Sequence, residues 1–259
     1  MKNPTKKIKQ QTKVYQATVK DIYKILEVEN AAWPQPDMDE GCIVASSEKF
    51  KNRINAGCVM KAVYEGEDIK LKNGYKLKKE QMIGVISYQI IKLDVKLDKI
   101  LEEVNKNKEF SWKELVKKGF PENWYTATDN GYINKTHNPN GNTAFLIGVG
   151  VIPKIRGAQM VNKLINSVLK DVKYNKWKKD WVIGYARVPQ YCKNRNIPLN
   201  EYVKKTREDG KLFDYGLRFH ENNGAKVVCE IPYSMDPEDD LESLGCGALA
   251  IYNLKELKI

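Results

Sequence analysis

Hydrophobic residues recur along this chain with two different spacings, and these spacings predict where its strands and helices lie. Short apolar runs between turn-forming residues are typical of strands, whereas apolar residues three and four positions apart are typical of helices. Strands are predicted at 14–18, 58–64, 82–91, 143–152, 181–186, 225–231 and 247–252. Helices are predicted at 19–30, 47–56, 94–106, 112–118, 157–173, 199–208 and 215–223.

The order of these elements predicts the fold class. Strands come first and then alternate with helices, which favours one mixed α/β domain over 14–259 after a basic N-terminal tail at 1–13. The segment 92–141 is too long for a plain connection in a compact domain. We predict a helical and loop insert there that acts as a lid or binding element, with a solvated surface insertion as the alternative. Trp112, Trp124 and Tyr125 either line a pocket in this insert or pack it.

Composition and charge narrow the function classes. The chain of 259 residues is 42% hydrophobic and carries a net charge of +11. Few of its basic residues are arginine, and lysine is spread through nearly every segment. Because arginine leads in base and phosphate recognition, this distribution disfavours nucleic-acid binding. A lysine-rich solvated surface is the simpler explanation, and attraction to an acidic partner such as a carrier protein is the alternative.

The cysteine and histidine contents exclude several kinds of site. Five scattered cysteines contain no C-x-x-C pair, which argues against a disulfide framework and against a zinc ribbon. The two histidines, His137 and His220, cannot build a histidine-rich metal site, so no metal is expected. No apolar run approaches the roughly 20 residues of a membrane-spanning helix, and no signal peptide follows the basic start. We therefore expect a soluble, cytoplasmic protein without a membrane span.

The candidate chemistry lies in the strand, loop and helix at 143–173. A helix start presents unpaired backbone N–H groups and the positive end of the helix dipole, which together favour phosphate oxygens. Arg156 stands directly before that start and would add a charged contact. An ordinary strand–helix unit with an arginine on its surface is the alternative.

Several motifs resemble those of one known family. Residues 151–157, VIPKIRG, are similar to the V-x-P-x-x-R-G signature of the GCN5-related N-acetyltransferases, or GNAT proteins, and LRFHENNGA at 217–225 resembles that family's later helix-to-strand passage. Three further stretches resemble the long GNAT subgroup that is fused to carbon–nitrogen hydrolases or serves as polyketide loading domains. They are THNPNG at 136–141, ARVPQY at 186–191, and LNEYV at 199–203 leading to Asp214. The resemblance covers roughly 14–254.

The resemblance implies a GNAT fold, with a mixed and splayed central sheet flanked by helices. It also implies transfer of an acyl group from a pantetheine thioester to an amine by direct attack. Acyl-CoA or an acyl-carrier protein would be the donor. A small amine or a peptide Lys or ornithine side chain would be the acceptor, as in the fatty acylation of peptide natural products. A GNAT-like module that binds a thioester or a partner without transfer is the alternative function.

The same resemblance assigns residues that would hold the thioester. Backbone groups around Val149 and Val151 would follow the pantetheine arm and stabilise the oxyanion. The other donor-binding positions are Arg156, Gly157, Ala158, Gln159, Met160 and Val161. The family pattern is R-x-x-G-x-G/A, so Gln159 and Val161 replace small residues that let the backbone approach the pyrophosphate. Either CoA binds in an altered pose, or a carrier protein with a single phosphodiester is the donor.

Three side chains are candidates for proton transfer. His220 stands about where many family members carry a tyrosine acid, and histidine ordinarily titrates near neutral pH. His137, in the loop before the central strand, would orient the substrate or act as base, and Tyr191 is a further candidate acid. A packing role is the alternative for each of them. Glu27 and Glu29 are expected to be solvated carboxylates rather than to face the acceptor.

Overall fold

The structure, a computed structural model, describes residues 4–33, 45–155 and 159–259. Helices α1 to α9 span Pro4–Gln11, Ile22–Ala32, Ser47–Asn55, Leu97–Asn105, Trp112–Lys117, Trp124–Thr128, Met160–Tyr174, Leu199–Tyr202 and Tyr215–Asn222. Strands β1 to β9 span Thr12–Gln16, Val59–Tyr64, Ile69–Lys70, Lys76–Leu77, Gln81–Ile91, Thr143–Val151, Trp181–Arg187, Ala225–Ile231 and Gly247–Asn253. Short 3-10 turns occur at Val19–Asp21, Pro153–Ile155 and Tyr191–Lys193.

Seven strands form one mixed sheet in the order β1-β2-β5-β6-β7-β9-β8, and β3 and β4 form a separate hairpin. β6 and β7 run parallel, whereas β2 pairs antiparallel with β1 and β5, and β9 pairs antiparallel with β7 and β8. The predicted fold class is confirmed: a mixed α/β sheet with flanking helices and a helical insert before the central strand. Within the described ranges, no helix is both long and apolar enough to cross a membrane.

One compact unit comprises the described residues of 1–88 and 147–170. Its core contains Ile25 and Val28 of α2, Phe50 of α3, and Leu164 and Ile165 of α7, all of which are buried. Ile25 lies three residues before Val28, and Leu164 lies four residues after the buried Met160, so α2 and α7 each turn one apolar face inward. This unit includes the end of β6 and the start of α7.

Helix α1 occupies residues in which the sequence pattern predicted a basic tail. Ile8 is 1% exposed and Thr12 is fully buried. The Lys163 ammonium group on α7 donates hydrogen bonds to the backbone carbonyls of Lys9, at 2.9 Å, and of Thr12. The last carbonyls of a helix have no partner within the helix, and here α7 supplies one. The basic segment is therefore helical and is anchored to α7.

The second compact unit comprises 89–146 and 171–259. Trp112 of the insert is buried and packs edge-on against Tyr185 of β7, with 5.2 Å between ring centroids, so it packs the insert. The prediction of a helix at 199–208 is wrong in its length, because α8 ends at Tyr202. The chain then turns back so that Thr206 pairs with Leu212. Residue 210 is a glycine with φ of +75°, a conformation that suits this turn.

Candidate functional site

Strand β6 presents its two faces to different helices in the unit that contains 147–170. On one face Val151 lies near α7: a Cβ added to Gly84 of β5 would be 3.1 Å from Val151 Cγ2 and 2.9 Å from Leu164 Cδ1. On the opposite face, a Cβ added to Gly150 would lie 3.0 Å from Oε2 of Glu29 on α2. The Glu29 carboxylate therefore lies directly over the backbone of β6.

Glu29 is a buried carboxylate, with 8% of its surface exposed. Burial raises its pKa to about 7, against the opposing effects of the Arg53 charge and of hydrogen bonds from the Trp33 side chain and the Ala45 backbone. A carboxyl group with this pKa changes its charge near neutral pH, as proton transfer at that pH requires. The expectation of solvated carboxylates is met by Glu27, which is exposed, and is wrong for Glu29.

Arg53 on α3 supplies the positive charge that acts on Glu29. The guanidinium group is buried, donates a hydrogen bond of 3.2 Å to Ser87 Oγ, and lies 5.2 Å from the centre of the Phe50 ring. Burial lowers the pKa of Arg53 to about 10, so the group stays charged at neutral pH. This unit therefore holds a buried cation that favours the ionised form of Glu29.

The face of β6 that meets α2 is open on both sides of Gly150. Side chains alternate along a strand, so Gly148 shares this face, and apart from its two chain neighbours no described residue has an atom within 4 Å of a Cβ added there. On the other side of Gly150, a pocket of about 420 Å³ lies between α2, the β3–β4 hairpin, the start of β5 and residues 152–154. Val28, Met82 and Ile152 give this pocket an apolar floor, and exposed lysine and glutamate side chains also line it.

The loop between β6 and α7 is described in part. Arg156, Gly157 and Ala158, three of the predicted donor-binding residues, lie outside the described residues. Gln159 has a φ of +54°, in the left-handed region that favours glycine. Its side-chain oxygen accepts a hydrogen bond of 2.6 Å from the Lys9 ammonium group of α1. The glutamine thus adopts a glycine-like backbone at the position where the family pattern has a glycine.

The remaining predicted donor-binding residues flank that loop. Met160 is buried at the start of α7, and Val161 follows it half-buried. Val149 and Val151 are half-buried at the end of β6. The β3–β4 hairpin contacts the chain that follows β6, because the Asn73 side chain donates a hydrogen bond of 2.8 Å to the Lys154 carbonyl. The structure therefore places these candidates in one unit.

His220 lies on α9 in the other unit. Its Nδ1 is 2.7 Å from the hydroxyl of the buried Tyr252, and its ring lies 3.7 Å from where a Cβ on Gly184 of β7 would stand. Burial lowers the pKa of His220 to about 4, so the ring is uncharged at pH 7 and does not titrate where an ordinary histidine does. These contacts suit a packing role, and the catalytic role stays a prediction.

His137 belongs to the THNPNG motif, which attaches the insert to the end of β5. Its Nδ1 accepts a hydrogen bond of 3.3 Å from the Ile90 N–H, and Thr136 donates one of 2.8 Å to the buried Gln89 side chain. At Gly141, an added Cβ would lie 2.2 Å from a backbone oxygen of β5. This motif has a structural explanation, and catalysis by His137 stays a prediction. Within the described ranges, no group of three or more His, Cys, Asp or Glu side chains is placed to hold a metal ion.

Tyr191 belongs to a packed network in the same unit. Its hydroxyl donates a hydrogen bond of 3.3 Å to the Ile197 carbonyl, and its ring lies against that of Tyr202. The Tyr202 hydroxyl donates to Asp214 Oδ2 at 2.8 Å, while Asp214 caps α9 by accepting from the Gly216 N–H at 2.8 Å. The LNEYV and Asp214 motif thereby has a structural explanation. The acid role of Tyr191 stays a prediction.

Sequence reasoning missed the pair formed by Glu29 and Arg53, although a signal was present. Glu29 lies four residues after the buried Ile25, and Arg53 lies three residues after the buried Phe50. Residues at these spacings share one face of a helix. Charged residues are rarely buried without a partner. A charged residue on the apolar face of a predicted helix is therefore a candidate for a functional role.

Comparison of sequences gives one partial match. No family model matches the chain. The uncharacterized N-acetyltransferase YkwB of Bacillus subtilis is 30% identical over 127 residues, which cover 49% of this chain and 53% of that protein. The matched region thus spans about half the length of this curated relative.

Comparison of structures covers nearly the whole chain. The loading GNATL domain of CurA from Lyngbya majuscula is 16% identical, with a TM-score of 0.65 over 95% of this chain and 99% of that one. The GNAT-like decarboxylase GphF, in complex with isobutyryl-CoA, is 18% identical, with a TM-score of 0.62 over 93% and 99%. A malonyl-CoA decarboxylase from Agrobacterium vitis is 11% identical, with a TM-score of 0.58 over 96% and 62%. With its seven-stranded mixed sheet, the chain therefore shares the fold of these GNAT-like domains.

Proposed function

We propose that this protein is an N-acyltransferase that moves an acyl group from a pantetheine thioester to an amine by direct attack. The observation that carries the proposal is the end of β6, where a face formed by glycines meets a buried carboxylate within a GNAT fold. The acetyltransferase name of YkwB and the isobutyryl-CoA bound to GphF support a thioester donor.

The donor would lie along β6 and end at the start of α7. Backbone groups of Val149 and Val151 would accompany the pantetheine arm, and an N–H there would stabilise the negative charge that develops on the thioester oxygen. The segment from Arg156 to Val161 would face the phosphate groups, because a helix start offers unpaired N–H groups. The left-handed backbone at Gln159 supports this role, since such turns can aim successive N–H groups at an anion.

The donor is either acyl-CoA or an acyl-carrier protein, both of which present a phosphopantetheine arm. Lys6 and Lys7 are exposed on α1, and the neighbouring Lys9 reaches Gln159 in the loop. This helix adds positive charge beside the proposed phosphate site. That charge would attract the additional phosphate of CoA or the acidic surface of a carrier protein.

The acceptor is a small amine or a Lys or ornithine side chain of a peptide, as in the fatty acylation of natural products. The open face of β6 at Gly148 supports an acceptor amine there, because only the chain neighbours of Gly148 approach within 4 Å of an added Cβ among the described residues, and the Glu29 carboxylate lies at Gly150 on the same face.

Two other functions are alternatives to acyl transfer. The GphF and Agrobacterium vitis structures, which share the fold over 93% and 96% of this chain, are named decarboxylases, so cleavage of a carboxyacyl thioester is the second candidate. The alternative of a thioester-binding module without transfer follows from Gln159 and Val161, which replace small residues of the family pattern.

The first experiment is mass spectrometry of the protein purified from its host, to identify co-bound CoA, acyl-CoA or carrier protein. Thermal unfolding then follows with acetyl-CoA, malonyl-CoA or acylated carrier protein, because a ligand at 100 times its Kd stabilises the folded state by about 2.7 kcal/mol. Adenosine without a pantetheine arm is the matched control. Absence of a co-bound pantetheine species together with absence of protection by every thioester would contradict the proposal.

The second experiment separates the three functions. The protein is incubated with each thioester that protects it and with a panel of amines that includes diamines and lysine-containing peptides. An acylated amine supports the transferase. Release of carbon dioxide from malonyl-CoA without an amine supports the decarboxylase, and protection without either product supports the binding module.

A further inference from the structure

We propose that Glu29 is the group that removes the proton from the acceptor ammonium, acting on the face of β6 that carries Gly148 and Gly150. This inference rests on the proposed transferase function and adds a catalytic residue to it. The position of the carboxylate, the open space beside it and its electrostatic surroundings each support this role.

The position of Glu29 depends on a glycine. A Cβ added to Gly150 would lie 3.0 Å from the Glu29 carboxylate and 3.1 Å from Ala32 Cβ, so a larger residue would collide with α2. The absence of a side chain brings the carboxylate close to the peptide groups on either side of Gly150. Those peptide groups belong in part to Val149 and Val151, which are proposed to accompany the thioester.

The open space beside Glu29 depends on a second glycine. Gly148 is exposed on the same face, about 6–7 Å along the strand from Gly150 at the usual strand rise. Within the described part of the chain, only Gly148 itself and its two chain neighbours have atoms within 4 Å of a Cβ added to Gly148. An amine over Gly148 would have the strand backbone beneath it and the Glu29 carboxylate beside it.

The surroundings of Glu29 suit a proton acceptor. An alkylamine has an ordinary pKa of about 10.4 and is therefore an ammonium ion at pH 7, which cannot attack a carbonyl. Burial raises the pKa of Glu29 to about 7. Arg53 from α3 acts in the opposite direction, as do the hydrogen bonds from Trp33 and Ala45, whereas Gly150 of β6 brings no titratable group. A carboxylate with this pKa is ionised in part at pH 7 and accepts a proton more readily than an exposed glutamate does.

In the proposed step the acceptor nitrogen loses two protons, one to Glu29 and one to the leaving sulfur. The ammonium nitrogen gives one proton to the Glu29 carboxylate, and the resulting amine attacks the thioester carbon to form the C–N bond. The C–S bond then breaks, and the sulfur takes up the second proton that the nitrogen loses. The products are an amide, a free thiol and a protonated Glu29, which releases its proton to water.

The test compares the full chain with its Glu29→Gln variant, using acetyl-CoA and the best alkylamine of the panel. We expect kcat/KM to fall by about 10²–10⁴-fold, the usual contribution of a general base, while thermal protection by acetyl-CoA is retained. The wild-type kcat/KM should rise with pH through about 7, and the variant should lack this rise. Glu102→Gln, an exposed glutamate on α4, is the matched control and should leave turnover unchanged.

Hydroxylamine separates a base from a merely structural residue, because it is uncharged at pH 7 and needs no proton acceptor before attack. Glu29→Gln should therefore lower transfer to the alkylamine far more than transfer to hydroxylamine. An equal loss with both nucleophiles, or wild-type turnover with the alkylamine, would overturn the assignment. Gly148→Ala should fold normally and yet slow transfer to the alkylamine, since its methyl group enters the open space.

Nuclear magnetic resonance of protein labelled with ¹³C at glutamate carboxyl groups tests the assignment without any acceptor. One resonance should titrate near pH 7 and be absent from the Glu29→Gln variant. Titration of Glu29 near its ordinary pKa of 4.5 would overturn the proposal even if transfer occurs. Absence of thioester protection in the wild-type protein would instead remove the proposed function, and the assignment of Glu29 with it.

Discussion

Replacing Glu29 with glutamine should change how the stability of the protein depends on pH. The pKa of Glu29 is about 7 in the folded protein, compared with an ordinary value of 4.5. Because the folded state holds the proton more tightly, the contribution of Glu29 to stability is complete below about pH 4.5 and is lost as the pH rises through 7. At about 1.4 kcal/mol per unit of pKa, the loss amounts to about 3 kcal/mol. Glutamine cannot ionise and avoids this loss.

The assay is urea unfolding of both proteins at several values between about pH 4 and pH 8, followed by the fluorescence of the five tryptophans. The free energy of unfolding of Glu29→Gln, relative to the wild type, should increase by about 3 kcal/mol across this range. Equal m values for the two proteins at each pH would show that the comparison reports stability. A relative stability that stays constant from the lowest to the highest pH would refute the reasoning, because every other titrating group is common to both proteins.

Three further predictions concern the second unit. His220→Phe removes the partner of the buried Tyr252 hydroxyl and should lower stability by about 1–3 kcal/mol in thermal unfolding; retained turnover in that variant would remove His220 as a catalytic residue. Asp240→Asn should cost roughly 3–5 kcal/mol, because Asp240 is 1% exposed and holds Arg187 through two hydrogen bonds; a loss below about 1 kcal/mol would contradict this expectation. Gly141→Ala places a methyl group 2.2 Å from a backbone oxygen of β5 and should prevent the insert from docking, detected as faster proteolysis within 92–141.

Local pattern predicted most elements of the fold. Helix α3 begins at Ser47, where the predicted helix 47–56 begins, and Ser46 caps it by accepting a hydrogen bond from the Lys49 backbone N–H at 3.3 Å. The overlong helix at 199–208 shows where local pattern fails. The Arg207 N–H bonds to the Lys211 carbonyl at 2.8 Å, and Tyr202 is tied to Asp214. These contacts fix a turn that helical periodicity alone does not reveal.

The candidate site was less predictable, because burial of charge depends on residues that are distant in sequence. Glu27 and Glu29 stand two positions apart on α2, yet one is exposed and the other is buried. The difference comes from the residues that surround Glu29. Gly150 of β6 leaves room for the Glu29 carboxylate, and Arg53 of α3 supplies a positive charge that acts on it. Similarly, the buried partner of Arg187 is Asp240, 53 residues away. Sequence shows the helix faces but not which distant residues meet them.

The contact between α1 and α7 has a consequence for synthesis of the chain on the ribosome. The Lys9 carbonyl at the end of α1 is capped by Lys163, 154 residues later. Because the ribosome adds about 5–20 residues per second, roughly 8–30 s pass between the synthesis of Lys9 and the synthesis of Lys163. During that interval Ile8, which becomes buried, lies in a segment rich in lysine and glutamine. Such a composition limits premature association of the nascent segment, so the charge of α1 serves the unfinished chain as well as the folded protein.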